Sequence, residues 1–573
     1  MMPLLAWAWV FTLPGLLLTG LGVPTGQRRA GYASLLGPPV LLVVALIALA
    51  QGGSYSVTFD GWLPFLPDGA YRALADPLSA LLLVILGAVA TVVYVYSLGY
   101  MADDPGKRRF FVYLDLFVAA MGLLVLAGNL AVLLIGWTGV GISSFLLISF
   151  WRDRPGTLGA GLQALAANAV GDGALLLAAS IVPTGCGALV NLGTSQCTAG
   201  FGGAEFLALL LFVAAAAKSA QGPLYFWLPN AMAGPTPISA LIHAATMVAA
   251  GVYLLVRTHA LLTLAPQVSL WIAAIGVGTA IGASVASLFQ ANFKKGIAYS
   301  TVAQLGYMFA GVGVGVPFAG LFHLFTHASF KALLFLAAGV VIHGAGGREG
   351  LADLRGLGRF FAFSRWGFLI GSLALIGTPL ITAGGFSKDA IVDAAINSST
   401  PIVGWLLLAA VILTGGYIGR LFAIVYMAPA VDPHTVHHDP GAERPMNWSL
   451  VPLMVGSLVL GWVGILWLPS VLPEAIVGPV ATVPILNITG ALAFVLGAIG
   501  FLGVAWYVLR PQAALARGET SYRPDGWVRA IAVGGYAVSD AFSRVQSGLV
   551  ARYAFGSLIG VAVVLLVRVV AFR

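Results

Sequence analysis

Charge is what this sequence has least of. Only 8% of its 573 residues are Asp, Glu, Lys or Arg, 60% are hydrophobic, and the mean hydropathy is +0.97. Soluble domains carry roughly 25% charged residues, so a water-soluble fold is excluded. Lysine is rarer still, with six in the chain, and cysteine is limited to Cys186 and Cys197. There is no Cys cluster for iron and sulfur, no Cys-x-x-Cys-His haem site and no nucleotide-binding glycine pattern after a strand. A redox centre or other cofactor on this chain is therefore not expected. The two cysteines lie in a Gly-rich, charge-free stretch, where a disulfide and two free thiols are both open.

Long apolar runs are abundant instead. Stretches of about 20 residues, the length that crosses a bilayer, recur from Leu4 to Val570, and about sixteen can be counted. The first has no clear cleavage site and reads as a retained helix. The basic residues Arg28 and Arg29, then Lys107, Arg108 and Arg109, then Arg152 and Arg154, then Lys294 and Lys295, then Arg348, Arg355 and Arg359 occupy alternate loops. Lys and Arg are held on the cytoplasmic side, which predicts a multi-pass protein of the inner (plasma) membrane with both termini outside. The net charge of +8 follows largely from that asymmetry and gives no reason to expect nucleic acid as a partner.

The chain divides into an N-terminal group of spans at 1–100, a motif-dense core, C-terminal spans at 449–509, and a tail at 511–573. The tail reads as an amphipathic helix along the membrane surface and a last span, with a plain cytoplasmic connector as the alternative. Two core helices are interrupted, one at Lys218 to Pro223 and one at Gly377 to Asp389, each with a lysine beside Gly and Pro. Paired broken helices point to an internal repeat around an ion path, here two five-helix units at 110–256 and 269–428. The loop from Asp432 to Asn447, carrying His434, His437, His438, Asp439 and Glu443, reads as solvated, because Pro433 and Pro440 break helical spacing and no Cys joins it.

An ionisable side chain in the hydrocarbon core costs at least about 2.5 kcal/mol and is a functional candidate by default. Asp115, Asp172, Lys218, His243, His323, His327, Lys331, Lys388 and Asp389 qualify. Desolvation disfavours the charged form of a buried lysine, so such a group can exchange a proton when its surroundings change. His323, His327 and Lys331 fall at i, i+4 and i+8 on one helix face, about 6 Å apart. That row suits a proton relay. A zinc site competes, but the further ligand it needs is absent nearby, so no metal is expected; His243 alone also fits a histidine hydrogen-bonded within the bundle.

These residues sit in long motifs: KSAQ at 218–221, WLP at 227–229, AMAGPTP at 231–237, SALIHAATMV at 239–248, AYST at 298–301, QLGYM at 304–308, FKALLFL at 330–336 and FSKD at 386–389. In them the chain resembles the proton-channel, antiporter-like subunits of respiratory complex I (NADH-quinone oxidoreductase), above all the subunit L family, which is related to Mrp-type antiporter subunits. The resemblance covers residues 76–395 and extends weakly to both ends. It implies an all-α fold with two inverted five-helix repeats, and proton translocation driven by quinone reduction elsewhere in a complex. The partners it implies are other membrane subunits of that assembly. It assigns Lys218 to the first half-channel, His243, His323, His327 and Lys331 to a connecting axis, and Lys388 to the exit side.

The departures are specific. Thr138 follows Trp137 where the family has a glutamate expected to pair with Lys218. Asn230 and Asn292 replace aspartates, Ala169 replaces an arginine, and Asp115 stands where a neutral residue is usual. Asp115 is therefore a candidate to supply the missing charge. The region after Arg510 is shorter than the family's lateral arm. Other readings are the membrane subunit of an inorganic-carbon transporter working with a soluble zinc protein, a cation/proton antiporter subunit, and a structural subunit with an inactive first half-channel.

Overall fold

Proline and side-chain caps set where many of the helices begin. In the computed structural model, which describes residues 1–20, 31–60, 70–183, 186–198, 203–479 and 487–510, Pro stands in the first turn of helices starting at Pro77, Pro266, Pro317, Pro401 and Pro440. There its missing N–H costs no hydrogen bond. Asp76, Asn129, Asn292, Asp439 and Asn487 accept from a first-turn amide, satisfying donors that a helix start leaves free.

The bundle is built from α1 (Gly37–Gln51), α2 (Pro77–Tyr100), α3 (Lys107–Val125), α4 (Leu130–Ile148), α5 (Thr157–Ile181), α6 (Gly203–Lys218), α7 (Thr236–Ala244), α8 (Met247–Arg257), α9 (Pro266–Leu288) and α10 (Phe293–Gly313). Then come α11 (Pro317–Gly344), α12 (Ala362–Ile376), α13 (Ala383–Ile396), α14 (Pro401–Phe422), α15 (Pro440–Leu466) and α16 (Ile488–Leu509). Among the described residues, ten helical stretches are long and apolar enough to cross a membrane. The surface helix and last span expected over 511–573 lie outside the described residues.

The all-α expectation needs one correction: β1 (Tyr55–Phe59) and β2 (Tyr71–Ala75) form an antiparallel pair with Tyr55 opposite Ala75 and Phe59 opposite Tyr71. Alternating burial along β2 is the half-buried pattern of a strand, too short to register beside the apolar runs. The solvated loop also ends earlier than 447. Asp439 and Pro440 start α15, and His438 pairs with Glu443 at 2.9 Å across that start.

α11 occupies the centre and is buried along its length, against α2, α7, α8, α10, α12, α13 and α15. Close helix crossings rest on glycine: a Cβ at Gly276 of α9 would lie 2.7 Å from the Gly306 carbonyl oxygen of α10. Small residues let helix backbones approach in lipid, where association relies on packing. Asp76 and Arg257, both buried, form a bidentate ion pair between the start of α2 and the end of α8, joined by Ser79. Burial opposes ionisation of Asp76, yet the charge and hydrogen bonds of Arg257 hold its carboxyl below the usual range.

The lysines of the basic loops are also drawn in. Lys294 is 1% exposed, pairs with Glu349 at 2.6 Å and donates to the Gly234 carbonyl at 3.1 Å; Lys107 donates to the Leu98 carbonyl. Cys186 and Cys197 are joined in a disulfide.

Candidate functional site

The first helix break places a lysine at the end of a helix. α6 stops at Lys218, and Ala220 takes a left-handed φ of 51°. The Trp227 indole donates to the freed Ala217 carbonyl at 3.0 Å and the Thr279 hydroxyl accepts from the Gly222 amide, so the interrupted backbone remains satisfied. The Lys218 side chain is fully buried, 3.8 Å from Asp172 of α5 and 5.6 Å from the Trp137 ring centroid. At 3.8 Å the pair is electrostatic and beyond hydrogen-bond length. Thr138 adjoins the same carboxylate.

Asp115 lies elsewhere. Both its oxygens accept hydroxyl hydrogen bonds, from Ser34 at 2.6 Å and Tyr94 at 2.9 Å. The carboxylate facing Lys218 therefore comes from α5, and Asp115 belongs to a separate cluster among α2, α3 and the segment before α1.

Along α11, the helical period stacks His323, His327 and Lys331 as the spacing requires, with the two imidazole centroids 5.9 Å apart. All three are fully buried. His323 is held on both sides, with Nδ1 2.9 Å from Ser387 Oγ and Nε2 3.0 Å from Gln304 Oε1. Among the described residues, His327 has no hydrogen-bond partner at either nitrogen. Lys331 donates to Ser300 at 2.5 Å. Electrostatically, Lys331 acts on His243 and His327, and Lys388 acts on His323, His327 and Lys331. Because like charges repel, a proton held at one position disfavours a proton at the next.

His243 follows from a third interruption. α7 ends at Ala244, and Thr246, at φ −126° and ψ −108°, returns its hydroxyl to the Leu241 carbonyl before α8 begins. His243 packs on Phe335 of α11 with centroids 4.6 Å apart. Among the described residues, neither ring nitrogen of His243 nor the Lys218 ammonium has a hydrogen-bond partner, so the two are not directly bonded to each other.

The second break repeats the chemistry of the first. α12 ends at Ile376, Gly377 takes φ 96°, and Leu380 takes φ 62°. Among the described residues, Ala220 and Leu380 are the two non-glycine positions with positive φ, one in each break. The Lys388 ammonium, on α13, donates to the Leu375 carbonyl, one of the acceptors that the broken helix leaves free. Asp389 is 8% exposed, and among the described residues its Oδ1 has no hydrogen-bond partner.

A family profile described as "NADH:quinone oxidoreductase/Mrp antiporter, TM" matches residues 127–415, and one described as "NADH-Ubiquinone oxidoreductase (complex I), chain 5 N-terminus" matches 70–111. The chain belongs to this antiporter-like membrane-subunit family. NADH-quinone oxidoreductase subunit L of Mycobacterium tuberculosis is 37% identical over 76% of this chain and 71% of its own length. The subunit L of Rhodobacter capsulatus is 39% identical over 69% and 60%, and NADH-ubiquinone oxidoreductase chain 5 of Cryptococcus neoformans is 38% identical over 77% and 67%. The chain thus spans 60 to 71% of the length of these three relatives.

Among solved structures, a chain of the Mrp complex from Dietzia superposes with a TM-score of 0.76 at 26% identity, covering 100% of this chain and 63% of that one. A chain of the archaeal membrane-bound sulfane sulfur reductase gives 0.69 at 19% identity, covering 88% of this chain and 100% of that one. Of the residues singled out from the sequence, Lys218 ends α6 at the first break, His243 precedes the third interruption, His323, His327 and Lys331 lie on α11, and Lys388 and Asp389 lie on α13 after the second break.

Proposed function

We propose that this chain is a proton-translocating membrane subunit of an NADH-quinone oxidoreductase-type complex. The observation that carries the reading is the row of fully buried titratable side chains along α11, next to the second broken helix and its lysine. A buried lysine or histidine with a carbonyl, hydroxyl or carboxylate nearby can hold a proton in one arrangement and release it in another. Lys218 with Asp172 loads the first half, His243, His327, His323 and Lys331 pass protons along the centre, and Lys388 with Asp389 releases them. Quinone reduction would occur on other subunits, and this chain would contribute to the enzyme as a translocase without a redox centre.

The finer fold proposed with it has about sixteen spans, counting charged and interrupted segments beside the long apolar ones. It has inverted five-helix repeats at 110–256 and 269–428, and both termini outside the inner membrane. The two lysine-bearing breaks and the alternating basic loops support that arrangement. The disulfide fits an oxidising outer face.

A second reading, a cation/proton antiporter subunit, is favoured by the overlap with a chain of the Mrp complex. Extraction in mild detergent with a tag on this chain, followed by mass spectrometry, separates them. Recovery with quinone-reducing complex subunits is expected. Recovery with small antiporter subunits supports the second reading, and recovery with one large soluble zinc protein would replace both by a carbon transporter.

A further inference from the structure

Lys388 is fully buried, so a proton leaving it needs a way to the surface. α13 supplies a face for it: Asp389, Asp393 and Asn397 fall at i, i+4 and i+8, about 6 Å apart along the helix. Asp389 is 8% exposed, Asp393 is partly exposed and Asn397 is exposed, so accessibility rises in steps from the lysine to the end of the helix. Asp389 Oδ1 is buried and accepts no hydrogen bond from the described residues.

The first turn of α16 roofs this face. The Thr489 hydroxyl donates to Asp393 Oδ1 at 3.2 Å, and Gly490 leaves room where a Cβ would collide with the Asp389 carboxylate. The start of a helix presents positive potential and favours a carboxylate there.

We propose that Asp393 is the proton acceptor between Asp389 and the outer surface, with Thr489 positioning its carboxylate. The step is a proton transfer only: the O–H bond on the Asp389 carboxyl breaks as one forms on the Asp393 carboxylate, directly or through water. The proton then passes to bulk water near Asn397. This rests on the proton-translocation reading, and Lys388→Ala in the same assay tests that reading independently.

The test uses the full chain in its native complex, reconstituted in vesicles, with quinone-driven proton transport as the readout and co-purifying subunits as the assembly control. Asp393→Asn is expected to lower transport at least about tenfold. Asp393→Glu should restore most of it, and a small weak acid such as azide should partly rescue the Asn variant, which a merely structural role would not allow. If Asp393→Asn disturbs assembly, Thr489→Val replaces it, with an expected loss of about threefold. Wild-type transport in Asp393→Asn, or a loss that neither Glu nor azide repairs, overturns the proposal. Normal transport in Lys388→Ala would instead overturn the reading beneath it.

Discussion

Thr138 occupies the position from which a glutamate was expected to face Lys218, and the carboxylate found there comes from the next helix, Asp172 of α5. A buried ammonium stripped of its one carboxylate is left uncompensated, at a cost of about 3–5 kcal/mol. Asp172→Asn is therefore expected to lower proton transport at least about tenfold. Asp115→Asn should leave it within about twofold, because Asp115 is bound to Ser34 and Tyr94 in a different cluster. The reverse pattern in reconstituted vesicles would return the charge to Asp115. Lys218, Lys331 and Lys388 were legible because a lysine inside an apolar run is expensive. The polar partners of Lys331 and His323 were not: Ser300 accepts from Lys331, and Gln304 and Ser387 flank His323, yet all three are ordinary residues of apolar helices and become partners only through packing. Asp393 has no such signal, since it stands near the end of α13, where a charge is ordinarily solvated.

The elements show the same division. Glycine and proline beside a lysine marked both main breaks. Which residues take the left-handed backbone was hidden, because the sequence offers glycines at 222, 377, 384 and 385 and the strain falls on Ala220 and Leu380 as well. The third break, at Thr246, has neither glycine nor proline and is held by a hydroxyl on the Leu241 carbonyl. Left-handed backbone costs a residue with a Cβ about 1–2 kcal/mol, and such strain is often kept at functional sites. Leu380 is exposed, and its carbonyl, which accepts from Trp462, survives any side-chain change. Leu380→Gly should raise stability by about 1 kcal/mol, seen as a higher midpoint in thermal unfolding of the detergent-solubilised protein. A lower midpoint would mean that the side chain, and not the backbone, decides this turn.

Over the whole molecule, α11 packs on α7 and α8 at the Thr246 interruption and on α12 and α13 at the second break. Its 28 residues span about 42 Å, more than the roughly 30 Å hydrocarbon thickness. Packed on every side by protein, it can hold histidine and lysine at depths where lipid-facing helices could not. The multi-pass character was plain from composition, but the number of spans was not, since helices such as α3 and α10 carry charges and α12 and α13 are short. The measurement that bears most directly on proton movement along this helix is Lys331→Ala in the assembled complex, with protons moved per quinone reduced in sealed vesicles. A proton yield reduced by at least about threefold with assembly intact is the expected result. An unchanged yield in the assembled variant would contradict the central relay.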